Sequence, residues 1–144
     1  MSEPGSGVVG VSAASEELAD ILRKYRTIAV VGLSADPSRP SYQVAQYLQA
    51  HGYRIIPVNP NCREVLGEPC YASLRDIPDS VDIVDIFRQV EAIPGIVAEA
   101  IAIGAKVVWM QLGLEHAEAA SRARQAGLQV VMNRCMKVEH ARLS

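Results

Sequence analysis

The chain is poor in several things, and each shortage removes a class of function. It has no basic excess: 14 Lys and Arg stand against 16 Asp and Glu, a formal net charge of −2. A surface that tracks a nucleic-acid backbone needs a basic stripe, so nucleic acid is not an expected partner. Aromatics are few, with one Trp, one Phe and five Tyr, which argues against a base-stacking platform. No apolar run approaches the roughly 20 residues that cross a bilayer, so no membrane partner is expected. The N-terminus lacks the basic stretch and continuous apolar core of a secretory leader. Cys62, Cys70 and Cys135 are odd in number and follow no repeated spacing, as expected of reduced thiols in a cytoplasmic protein.

What is present alternates. Residues 1–14 are rich in Gly, Ser and Ala without firm periodicity and read as a flexible tail, leaving 15–144 as one domain. Ser15 ahead of Glu16 and Glu17 looks like a helix start, and Leu18, Ile21 and Leu22 give the stripe of an amphipathic helix ending near Tyr25. Ile28 to Val31 is too short for a helix and rich in β-branched residues, so it reads as a buried strand. It breaks at Gly32, and a polar, proline-bearing loop leads to a helix from about Ser41 to His51, stopped by Gly52. Tyr53–Val58 is a second strand, in which Pro57 is awkward because proline cannot donate to a ladder. Residues 61–80 read as an irregular connection with one turn of helix around Ser73–Ile77.

Val81–Phe87 is a third strand, with Val81, Ile83 and Asp85 on one face by period two. A helix over Ile93–Ile101 ends at Gly104, and a fourth strand spans Lys106–Leu112. An alanine-rich helix around Ala117–Ala126, a fifth strand at Leu128–Met132 and a short terminal helix over Met136–Ala141 complete the chain. Strands and helices alternating in this way predict an α/β fold: one doubly wound parallel sheet of about five strands with flanking helices. Such sheets bind ligands at the carboxyl ends of their strands, where strand order reverses.

The loop after the first strand is the candidate site. A dinucleotide fingerprint needs three glycines and an acid about 20 residues on, for the ribose hydroxyls. Here Gly32 is followed by no glycine before Gly52, and the second strand ends in Asn59-Pro60-Asn61. NAD is disfavoured on both counts, and the absence of GxxxxGK[ST] excludes a P-loop nucleotidase. What remains is one glycine, the hydroxyls of Ser34, Ser38 and Ser41, Arg39 and a helix N-terminus, a set suited to a pyrophosphate. On spacing alone the same loop is equally an ordinary strand-to-helix turn with a surface arginine.

Several separated motifs carry a resemblance. Val31-Gly-Leu-Ser with Asp36-Pro-Ser-Arg-Pro-Ser-Tyr42, His51-Gly-Tyr-Arg-Ile-Ile-Pro-Val-Asn-Pro60, Leu66-Gly67 and Cys70-Tyr-Ala-Ser-Leu74 are similar to the small bacterial CoA-binding domain proteins. So are Val81–Phe87, Lys106–Gly113 and Asn133-Arg-Cys135, so that the likeness covers about residues 15–143. The resemblance implies a Rossmann-like domain similar to the N-terminal domain of the succinyl-CoA synthetase α subunit, binding CoA or a short acyl-CoA without chemistry of its own. It implies that Gly32, Leu33, Ser34, Arg39 and Ser41 hold the diphosphate. Val58, Asn59 and Pro60 then lie near the adenosine end, and Ile86, Phe87 and Arg88 line the other side of the nucleotide. Arg39 and Arg63 are the candidate cations for the ribose phosphate. Asn133 departs from the aspartate common in that family.

Two alternatives of other classes stand beside this reading: an acyl-CoA-processing enzyme completed by a partner subunit, and a regulator binding NADP, with Arg63 on its 2′-phosphate. A homodimer is compatible with either. His51, His116 and His140 are scattered without metal or triad spacing, and His51 suits a helix C-terminus. The synthetase's phosphorylated histidine belongs to a second domain, so the resemblance does not carry it onto any of the three. Asp82 and Asp85 fall on opposite strand faces and form no acid–base pair. No catalytic or metal-binding residue is expected. Cys135, near the end of the fifth strand, is the thiol most worth testing, and Gln111 and Gly113 are second-rank ligand contacts beside a core Trp109.

Overall fold

In the computed structural model, which describes residues 11–143, the short β-branched runs become the strands of one sheet. The strands are β1 (Thr27–Val31), β2 (Arg54–Val58), β5 (Ile83–Ile86), β6 (Val107–Met110) and β7 (Gln129–Val131). All run parallel, in the order β2-β1-β5-β6-β7. Connections to the left and right of β1 therefore diverge between β1 and β5, and the crevice beyond their carboxyl ends is the reversal point of a doubly wound sheet.

Both faces are covered, which is why the strands are near-continuous hydrophobic runs. On one face α1 (Val11–Lys24), α2 (Pro40–Ala50) and α5 (Met136–Ala141) bury Leu18, Ile21, Leu22, Val44, Leu48 and Met136 against Ile28, Val30, Ile55, Ile83 and Trp109. On the other, α3 (Ile93–Ala102) and α4 (Ala117–Gln125) lay Ile93, Val97, Ala119, Ala120 and Ala123 on Val31, Val84, Ile86 and Val108. Small alanine side chains let α4 approach the sheet closely.

Several local expectations are corrected. Of the tail expected over residues 1–14, residues 1–10 lie outside the described residues. Residues 11–14 belong to α1, which runs ahead of the expected Ser15 start; two alanines there favour helix. Val81 packs with Val84 and Ile86, not with Ile83 and Asp85. The strand begins only at Ile83, so period-two alternation does not reach back to Val81.

Pro57 sits inside β2, opposite Val30, yet costs no ladder bond. Its carbonyl faces the outer edge, where it accepts the Tyr71 N–H at 3.0 Å. Its nitrogen faces that same edge, on the outermost strand, where proline is tolerated. The irregular connection holds a two-stranded hairpin, β3 (Glu64–Val65) and β4 (Glu68–Pro69), beside the short 3₁₀ turn Leu74–Asp76. Its turn is Leu66-Gly67, both with positive φ (55° and 77°), the geometry that hairpin twist prefers. A leucine at the first position hides that signal in the sequence.

Candidate functional site

The loop from Gly32 to Arg39 is built by its own polar side chains. The Gly32 N–H donates to Val58 O at 2.8 Å. The Ser34 N–H donates to Ser41 Oγ at 3.0 Å, and the Asp36 N–H to Ser34 Oγ at 3.0 Å. Asp36 Oδ1 accepts from both the Ser38 N–H (2.9 Å) and the Ser38 hydroxyl (2.8 Å). These two bonds, the backbone one first, hold the Asp36 carboxyl below its ordinary pKa.

A hydroxyl has one proton and two lone pairs. Ser34 and Ser41 are used here as acceptors, so each keeps its proton for another partner; Ser38 spends its proton on Asp36. Helix α2 starts with Pro40 at its first position, and its first bond runs from the Gln43 N–H to Arg39 O. The Ser41 and Tyr42 N–H groups lie ahead of that bond, at the positive end of the helix. Gly32, Ser34, Arg39, Pro40, Ser41 and Phe87 line a cavity of about 340 Å³. Its chemistry is that of an anion cradle.

Gly32 is a glycine for a reason other than ligand approach. Its φ is +91°, and a Cβ there would lie 2.4 Å from Phe87 O and 2.8 Å from Arg88 Cδ. The residue lets the β1 and β5 tips close on each other, which shapes the crevice itself.

The expected site residues divide into four groups. Gly32, Ser34, Arg39, Ser41 and Phe87 meet in the cradle. Arg88 lies next door, in the groove described below. Leu33, Val58 and Ile86 bury their side chains in the core and offer only backbone. Asn59 has both side-chain atoms engaged: Nδ2 donates to Leu33 O at 2.9 Å and Oδ1 accepts the Asn61 N–H at 2.9 Å. It ties the β2 tip to the loop after β1, and Pro60 is exposed beside it.

Sequence reasoning missed the groove as a unit. Pro40, Val44, Phe87, Arg88, Gln89, Gln111, Leu112, Leu114 and Cys135 enclose about 710 Å³. Pro40 and Phe87 also line the cradle, so the two openings adjoin. Four segments distant in sequence contribute, and no periodicity announces that they meet. Gln111 is only in part available, because its Oε1 accepts the Met136 N–H at 3.2 Å and so caps α5. Trp109 is fully buried and donates to Arg134 O at 2.8 Å.

Asn133 has a structural task. Its Oδ1 accepts the Gly113 N–H at 2.7 Å, and its own N–H donates to Leu114 O at 3.0 Å. Its φ is 59°, a conformation that asparagine tolerates better than most residues. The residue therefore pins the Leu112–Leu114 turn that walls the groove.

The remaining titratable groups lie elsewhere. Asp82 Oδ2 accepts the Arg26 and Thr27 N–H groups at 3.2 and 3.1 Å and so fastens the start of β1. Asp85 is fully buried with no partner for either oxygen, and burial pushes its pKa well up. The histidines are not all scattered: the His51 and His140 rings lie 5.0 Å apart, because α5 returns to the end of α2. His140 Nδ1 pairs with the Tyr47 hydroxyl at 2.9 Å and His51 Nδ1 with Tyr47 O at 2.7 Å. Burial lowers the His140 pKa, with His51 adding to it. His116 caps α4, accepting the Ala119 N–H at 3.1 Å. Cys70 is pushed up by burial and by the neighbouring Cys62 thiol, the reverse of an activated nucleophile. Among the described residues, no three ligating side chains form a metal cluster, and no helix is long and apolar enough to cross a membrane.

Comparison with known proteins gives this geometry a family. The uncharacterized protein YneT of Bacillus subtilis is 43% identical over 125 residues, covering 87% of this chain and 93% of its own. The solved structure of a hypothetical protein from Pyrococcus horikoshii superposes with a TM-score of 0.88 at 44% identity, covering 99% of each chain. The ADP-forming acetate–CoA ligase II of Archaeoglobus fulgidus is 35% identical over 83 residues, which span 56% of this chain but 12% of the ligase. The model of the CoA binding domain matches residues 26–141, and the chain belongs to that CoA-binding domain family.

Proposed function

We propose that this protein binds CoA or a short acyl-CoA across the crevice between the β1 and β5 tips, without chemistry of its own. One observation carries the reading. In a chain of the CoA-binding domain family, a cradle with two uncommitted serine protons, a helix N-terminus and Arg39 opens onto a larger, more apolar groove. A ligand with a diphosphate at one end of a long arm needs that combination.

In this reading the diphosphate takes the Ser34 and Ser41 hydroxyls, the N–H groups opening α2 and the Arg39 guanidinium. The adenosine end lies toward Asn59 and Pro60, with Arg63 exposed beyond them. Val58, Leu33 and Ile86 contribute shape through backbone, while Phe87 and Arg88 flank the arm. The ligand adds no carboxylate requirement at the β2 tip, where Asn59 is already engaged; that favours CoA over a dinucleotide. The unpaired state of all three cysteines supports a cytoplasmic location.

Calorimetric titration with CoA, 3′-dephospho-CoA and NADP tests the proposal. Micromolar CoA binding is expected, weaker without the 3′-phosphate and weaker still for NADP. Arg39→Ala should cost about 1–3 kcal/mol of binding, more at low salt. Folded, ligand-free protein that gives no heat with CoA would sink the reading. A second reading, an acyl-CoA enzyme completed by a partner, draws on the likeness to acetate–CoA ligases. Release of free thiol from acyl-CoA that requires both this protein and an added partner subunit would favour it.

A further inference from the structure

We infer that the groove beside the cradle is an acyl pocket: this protein takes an aliphatic acyl thioester of a few carbons in preference to free CoA. The inference rests on the CoA reading above and narrows it to a substrate class.

Three observations point this way. The first is composition. Val44, Leu112 and Leu114, none of which lines the cradle, join the shared Phe87 in an apolar wall. Free CoA lays its arm along the start of that wall and ends in a thiol, whereas an acyl thioester carries apolar contact further along it.

The second is Leu112 itself. Its side chain is 70% exposed, the most exposed large apolar residue among those described. Scattered exposed leucines need no explanation, but this one stands on the wall of a groove of about 710 Å³. Burying a leucine side chain against an apolar partner is favourable because it removes apolar surface from water. Free CoA brings a thiol to such a surface, whereas an acyl chain brings methylenes.

The third is rigidity. Leu112 is not held out by a loose loop. The turn after it is pinned by Asn133 through the Gly113 N–H and the Leu114 carbonyl, and Gln111 before it is fastened to the start of α5. An apolar side chain presented by a turn bonded at both ends loses little entropy on meeting a ligand. Gln89 and Gln111 line the same groove and carry amide donors of the kind that pair with the amides of the arm preceding the acyl group.

The test is a calorimetric series on the full chain with CoA, acetyl-CoA, butyryl-CoA and hexanoyl-CoA. Affinity should rise by about fourfold for each methylene that the groove buries, so butyryl-CoA should bind at least tenfold tighter than CoA. The heat-capacity change should become more negative along the series. Leu112→Ser, at an exposed position that should not disturb folding, should shrink the butyryl-to-CoA affinity ratio several-fold. CoA binding with a flat or falling acyl series would overturn the acyl pocket and leave the CoA reading standing. Absence of binding by every member, CoA included, would overturn both.

Discussion

The cradle and the groove share two residues, Pro40 and Phe87, and otherwise differ in construction. The cradle is local. Its hydroxyl and carboxylate bonds all lie within residues 34–41 and span at most seven residues, and only the anchors from Val58 O and Asn59 reach it from the β2 tip. The groove is assembled from the tips of β5 and β6, the first turns of α2 and the approach to α5. Its stabilising bonds link residues about 20 to 25 apart. Local polar bonding can be dictated by a short motif, whereas an apolar wall made by distant segments depends on the whole sheet closing correctly.

The sharpest way to break the comparison is at Gly32, where the two sites join. Gly32→Ala places a Cβ against Phe87 O and forces alanine into a positive φ. The backbone strain alone is worth about 1–3 kcal/mol, and the overlap adds to it. Thermal unfolding should show a large loss of stability, and CoA titration a loss of binding. A variant with wild-type melting would mean that β1 and β5 are not closed in solution as described.

Next in size is Asp85, which lies on β5 two residues before Phe87 and so on the same strand face. Its folded pKa is raised well above the ordinary carboxyl value of 3.8 because burial disfavours the charge. Its stabilising contribution is therefore complete below about pH 3.8. It is lost as pH rises from there through the raised folded pKa, by up to about 1.4 kcal/mol per pH unit. Asp85→Asn removes that loss, so the variant's advantage in urea unfolding should grow between pH 4 and pH 7. A pH-independent difference would show that the carboxyl finds a partner. His140 works in the opposite direction: its lowered pKa costs stability as pH falls below its ordinary value of 6.5.

The smallest effects separate the serines. Ser41→Ala removes both the acceptor for the Ser34 N–H and a cradle proton, and should weaken CoA binding by about 1 kcal/mol. Ser38→Ala removes a hydroxyl whose proton is already spent on Asp36, and should leave affinity within about 0.3 kcal/mol. Equal losses in the two variants would contradict this division of roles.

The alternation of strands and helices, the two-sided covering of the sheet and the polar loop after the first strand are legible because each rests on local signals. Ile28–Val31, Gly32, the hydroxyl cluster and the start of α2 follow one another within 15 residues. The terminal helix was expected over Met136–Ala141 and is found there. Where expectation failed, the deciding partner was distant or the local signal atypical. Leu66-Gly67 makes a hairpin turn without the usual asparagine, and Val81 follows the packing of α3 rather than strand periodicity. Leu33, Val58 and Ile86 lie in the motifs of the candidate site, but their side chains are buried in the core and leave only backbone to a ligand.

By itself the sequence determined a parallel α/β sheet with a polar, hydroxyl-rich loop between its first strand and the next helix, since hydrophobic periodicity, glycine stops and helix caps act within a few residues. Tertiary structure alone decided that Asn133 clamps the turn after β6, that His51 meets His140, and that Leu112, Val44 and Cys135 enclose one groove. Those contacts exist only once the crossovers bring separate strand tips to the same edge. Their energy comes from burial and pairing between segments that share no local code.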